Sequence, residues 1–158
     1  MSGYRTILFP VCLTPISPGV AQHVVLMAEK FDAQVHLLHV LRRFDWFVDT
    51  YVSQPSETDF KRIASDFESE VMVQAKEKLE NFTRKHLEGL RIAKTSVVSG
   101  IHYKEVLAYV DTEPIDLIIM GAGNTLQKTV FGSVTEKVLK LAPVPVLLIK
   151  NNPNKGGL

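Results

Sequence analysis

Three glycines and a serine stand where a phosphate could be held. Gly121 and Gly123 follow the apolar run 115–120, and Gly132 comes directly before Ser133. Glycine takes backbone angles closed to other residues and lets a ligand approach the main chain. Ser133, with Glu136 three residues on, has the capping-box spacing of a helix start. The free N–H groups of such a start attract anions, and phosphate above all. Strand, glycine loop and helix start together read as a phosphate cradle. The same residues also suit a plain chain reversal into a capped helix, and the local sequence leaves both readings open.

Other reactive groups offer less. His36 and His39 lie three apart in a strand-like run, so they point to opposite faces and cannot share a metal. His36 is expected near a rim, and His39 as a hydrogen-bonded residue near the strand end. No Ser/His/Asp order, paired carboxylates or metal cluster meets the requirement for a nucleophile, a base and a group that orients the base. Dedicated catalysis is therefore not expected. Cys12 is the one cysteine. It excludes an internal disulfide framework and fits a reducing compartment. It falls at the mouth of the expected crevice, where a redox role and a buried inert thiol are both open.

The positioning elements follow from hydrophobic period. Residues 6–11 are apolar throughout, as in a central strand, with Pro10 near its end. Ser17-Pro18 reads as N-cap and first helical residue, and the helix carries Val20, Val24, Met27 and Ala28 on one face. Residues 34–41 form a second strand. Residues 42–56 are a long connection with Phe44, Trp46, Phe47 and Tyr51. These aromatics are expected to fold back into a satellite core rather than cover a ligand. Residues 57–87 form one long helix with Phe60, Ile63, Ala64, Phe67, Val71, Ala75, Leu79 and Phe82 recurring at three- and four-residue steps. Its other face is mixed charge, a solvated surface. Gly89 ends it. Residues 91–99 alternate and read as an edge strand. A helix with Val106, Leu107 and Val110 facing in precedes the strand 116–120. Residues 133–141 are the last helix and 146–149 the fifth strand. Residues 1–150 read as one domain, and 151–158 as a flexible tail. The alternation makes an α/β protein with a five-stranded parallel sheet and helices on both faces. Ligands of open parallel sheets bind beyond the C-terminal strand ends where strand order reverses. That places a site at the loops 12–17 and 121–132.

The totals exclude whole classes. A net charge of +1 over 158 residues gives no electrostatic footprint for nucleic acid. No apolar run is long enough to span a bilayer. Residues 1–6 lead into a strand without a signal pattern, so the expected location is cytoplasmic.

The chain resembles the universal stress protein family. The resemblance rests on Ile7-Leu8-Phe9-Pro10-Val11, Leu38-His39-Val40, Asp116-Leu117-Ile118-Ile119-Met120-Gly121, Gly132-Ser133-Val134-Thr135-Glu136-Lys137-Val138, and Ala142-Pro143-Val144-Pro145-Val146-Leu147-Leu148-Ile149, in the family's order. It implies a Rossmann-like sheet of order 3-2-1-4-5 and a stress-response homodimer formed through the fifth strands, Val146, Leu147, Leu148 and Ile149. It implies ATP, with Mg²⁺, as ligand and at most slow ATP hydrolysis. The carried-over site is Pro10, Cys12 and Val40 toward adenine and ribose, with Gly121, Gly123, Asn124, Gly132, Ser133 and Val134 around the phosphates. Arg42 and Lys128 are further phosphate contacts to weigh. Two departures stand out. Cys12 occupies the place of an aspartate, and the 121–132 loop is two residues shorter than the family spacing, with Asn124 where the second glycine belongs. A lost charge-assisted hydrogen bond costs about 1.5–3 kcal/mol, or about ten- to a hundredfold in affinity. The expected protein therefore has a degenerate ATP loop with weak or altered nucleotide binding. The alternative is a dimeric interaction module that binds no nucleotide, and the sequence leaves the choice open.

Overall fold

The computed structural model describes residues 3–42, 57–123 and 132–150. The aromatic connection, Asn124, Lys128 and the tail lie outside the described residues. Five strands form one parallel sheet: β1 (Thr6–Pro10), β2 (Gln34–Arg42), β3 (Arg91–Gly100), β4 (Leu117–Gly121) and β5 (Val146–Ile149), in the order β3-β2-β1-β4-β5. Among the described residues four helices accompany them: α1 (Ser17–Phe31), α2 (Glu57–His86), α3 (His102–Thr112) and α4 (Ser133–Leu141).

The central strands explain themselves by alternation. Successive side chains point to opposite faces, and here both faces are covered. Ile7, Phe9, Leu37, Leu117 and Ile119 pack with Val24 and Ala28 of α1 and Leu79 of α2. Leu8, Leu38, Val40, Ile118 and Met120 pack with Val106, Tyr109 and Val110 of α3 and Val138 of α4. The start of β1 is fastened by the Asp116 carboxylate, which accepts the main-chain N–H groups of Arg5 at 2.9 Å and Thr6 at 3.0 Å. β3 is an edge strand with no fully buried residue before Gly100.

Several local expectations are corrected. Ser17 is the first residue of α1 and Ile16 its cap. The Ser17 hydroxyl instead accepts the Thr14 N–H at 3.1 Å, holding the preceding turn. His36 is not at a rim. It is buried on the α3 face with its Nδ1 2.8 Å from the Tyr109 hydroxyl. Leu107 is only half-buried, and the neighbouring Tyr109 carries the α3 contact. The apolar stripe of α2 reaches the core only in its second half. Ala75 and Leu79 are buried, whereas Ile63 and Phe67 are exposed. The cause is length: thirty helical residues span about 45 Å, and the nine residues of β2 only about 30 Å. The helix outruns the sheet it packs on.

Candidate functional site

At the C-terminal ends of β2, β1 and β4 lies a crevice of about 420 Å³. Strand order turns there, since β1 is followed in sequence by β2 on one side and flanked by β4 on the other. Its floor is apolar: Phe9 and Pro10 close β1, Met120 sits at the end of β4, and Ile16 and Val20 come from α1. One wall is the junction between β4 and α4.

That junction explains its glycines. Gly121 faces α1 so closely that a methyl group would sit 3.2 Å from the Ile16 Cδ1 and 3.3 Å from the Val20 Cγ2. Gly123 has φ of 92°, a left-handed angle, and a methyl there would lie 3.1 Å from both the nitrogen and Cα of Gly132. The Gly132 N–H donates to the Ala122 carbonyl at 3.2 Å. The two ends of the 123–132 loop are thereby pinned together. The Thr135 hydroxyl donates to the Gly121 carbonyl at 3.2 Å, tying the first turn of α4 to β4.

The expected capping box does not form. Gly132 is the cap, its carbonyl taking the Glu136 N–H at 3.0 Å, and no side chain caps the helix. Glu136 turns outward to Lys140. The N–H groups of Ser133, Val134 and Thr135 therefore have no acceptor within the helix, and the positive end of its dipole adds to them.

The described lining residues include no carboxylate. Arg42, the last residue of β2, and His102, the first of α3, are its charged or titratable basic groups. Burial, then the nearby Arg42 and His39, hold His102 below the usual imidazole range, with the Val40 main chain pulling more weakly the other way. His39 Nδ1 bonds the Val11 carbonyl, which fixes the strand end beneath the loop. Cys12 lies in the crevice wall, and the protein around it pushes its thiol up from the usual range. The loop it opens contains Leu13 at φ 55°, a left-handed angle costing a branched side chain about 1–2 kcal/mol.

The structure thus brings together Pro10, Cys12, Gly121, Gly123, Gly132, Ser133 and Val134. Val40 is not among the described lining residues, and its side chain is buried in the core against α3. Asn124 and Lys128 lie outside the described residues. Ile16 falls in the loop 12–17 already assigned to the site, whereas sequence reasoning missed His102 and Met120. His102 stands two residues past the third strand's C-terminal end, so the strand-end rule could have found it. Among the described residues no group of three or more His, Cys, Asp or Glu side chains is placed to hold a metal, and no helix is long and apolar enough to cross a membrane.

Sheet order and crevice together define a doubly wound α/β protein with a ligand-sized cleft at its switch point. The model of the universal stress protein family matches residues 3–150, and the chain belongs to that family. It is 30% identical over 149 residues to universal stress protein MJ0531 of Methanocaldococcus jannaschii, covering 93% of this chain and 82% of that one. It is 30% identical over 156 residues to universal stress protein MJ0577 of the same organism, covering 93% and 95%. The solved structure of MJ0577 superimposes with a TM-score of 0.76 at 28% identity, over 95% of this chain and 98% of that one. A universal stress protein solved in complex with cAMP has the same fold, with a TM-score of 0.58 at 16% identity over 94% and 98% of the two chains.

Proposed function

We propose that this chain is a nucleotide-binding stress-response protein whose crevice takes ATP in a modified way. The observation that carries the reading is one cleft that joins a glycine-pinned loop base, a helix start whose first N–H groups have no acceptor within the helix, and an absence of carboxylates among its described lining residues. Phosphates fit against Gly132, Ser133 and Val134, and the apolar floor at Pro10 and Met120 suits base and sugar. The cAMP complex of a protein with this fold supports a nucleotide as the ligand class. Mg²⁺ fits as a phosphate-borne ion that keeps its waters, because the described lining residues offer no carboxylate to it.

Calorimetric titration with ATP and Mg²⁺ tests the reading. Saturable binding is expected in wild-type protein, weakened about tenfold or more by Gly132→Val, whose γ-methyl groups extend into the loop base beyond a Cβ already in contact with the Gly123 Cα at 3.5 Å. No heat up to millimolar ATP would overturn it.

One observation favours a dimer alongside. β5 ends the sheet, and all four of its residues are half-exposed. Its outer N–H and C=O groups have no strand beside them in the monomer. Pairing of β5 with a second copy would satisfy them. Sedimentation of the purified protein checks this, and a monomer at all accessible concentrations would refute it.

A further inference from the structure

We propose that the crevice prefers nucleotides carrying a second phosphate on the ribose, held by Arg42 and His102. The inference rests on the nucleotide reading above and adds the ligand subclass.

The crevice spans three neighbouring strand ends. Arg42 closes β2, Pro10 closes β1 and Gly121 closes β4, and all three line it. Neighbouring strands lie about 4.8 Å apart, so the β2 and β4 ends are about 10 Å apart. Groups able to hold an anion stand at both. On the β4 side are the N–H groups of Ser133 and Val134, which have no acceptor within the helix. On the β2 side is the Arg42 guanidinium, with His102 beside it. Between them lie Pro10 and the exposed Cys12, neither of which brings a carboxylate.

A ligand with a single cluster of phosphates satisfies one pole and leaves the other facing base or sugar. The ribose occupies the middle of the crevice when 5′-phosphates sit at α4, which directs a 2′- or 3′-substituent toward β2. In dinucleotide-binding sheets an acid beside the ribose selects the free hydroxyl, and an arginine selects a ribose phosphate. Here the arginine is present, and no acid is found among the described lining residues. Guanidinium holds phosphate through paired, parallel hydrogen bonds. His102 lines the same end of the crevice, and its ring donates to a phosphate once it takes up a proton, which the charge of a bound phosphate favours.

The test is calorimetric titration of the full chain with adenosine 5′-monophosphate, adenosine 2′,5′-bisphosphate and adenosine 3′,5′-bisphosphate. At least one bisphosphate is expected to bind about tenfold or more tightly than the monophosphate. In Arg42→Gln that ratio is expected to fall toward one, with circular dichroism verifying the fold, and His102→Gln is expected to reduce it in part. Equal affinities in the wild type, or a preference untouched by both substitutions, would overturn the inference. Monophosphate binding without a preference removes this inference and leaves the nucleotide reading standing. No binding of any of the three, together with no response to ATP, removes both.

Discussion

Replacing Gly123 by alanine tests the loop base directly. At φ of 92° the new side chain meets the left-handed penalty, about 1–2 kcal/mol. Its methyl would also lie 3.1 Å from two main-chain atoms of Gly132. Main chain cannot swing aside as a side-chain end can, so the strands of the junction must part by a few tenths of an ångström. Overpacking of this kind costs about 1–3 kcal/mol. The sum is about 2–5 kcal/mol in the native state. For a chain of this size each kcal/mol lowers Tm by about 2–4 °C, so thermal unfolding followed by circular dichroism should shift down by about 4–20 °C. Gly121→Ala is the control. Its methyl would meet only the ends of the Ile16 and Val20 side chains, which can yield, and about 1 kcal/mol is expected. If Gly123→Ala unfolds at the wild-type temperature, or above Gly121→Ala, the junction is not pinned as described.

Four further outcomes are expected. Gly19→Ala places a methyl in open space within α1 and should raise stability by about 0.5–1 kcal/mol, read as a higher Tm. Tyr109→Phe removes the hydroxyl bonded to His36 and should cost about 1–3 kcal/mol in urea unfolding, because the imidazole is left buried without that partner. Burial holds His36, and likewise His102, below the usual imidazole range. The unfolded chain therefore takes up protons first, stability is full above pH about 6.5 and falls as the solution is acidified below it. The lowered carboxylates Glu113 and Glu136 act only further down, below about pH 4.5. A urea midpoint that rises between pH 7.5 and pH 5.5 would refute the assignment. Finally, Cys12 should label with a maleimide more slowly at neutral pH in the native protein than in urea, because less of its thiol is ionised in the fold.

The architecture was legible because both central strands announce themselves. Runs such as Ile7-Leu8-Phe9 and Leu117-Ile118-Ile119 have no polar side, which only a sheet covered on both faces accommodates. The bounds of α4 and β5 followed from Gly132 and the Pro143–Pro145 break. Helix caps were less readable. Ser133 and Ser17 have the right side chains for caps, yet each falls one residue inside its helix. A one-residue offset is decided by tertiary bonds such as Gly132 to Ala122, which sequence does not display. His36 was misplaced for a similar reason. A polar side chain was assigned to a rim, but the Tyr109 hydroxyl across the interface lets it lie inside. In the crevice, the glycines were found by type, while Ile16 and Met120 look like ordinary apolar residues and belong to the site only through the crossing of α1 over β4.

The overreach of α2 means that one continuous helix is divided in its cooperativity. From Arg62 to Glu70 no side chain is fully buried, whereas Ala75, Leu79 and, just past the helix, Leu87 are locked into the core. Backbone amides open at a free energy set by the burial that opening must undo. Hydrogen exchange along α2 should therefore grade from local fraying in its first half to global unfolding in its second. Sequence changes at the exposed positions among residues 62–70 can therefore alter what that surface presents while the buried contacts of Ala75, Leu79 and Leu87 hold the helix to the sheet.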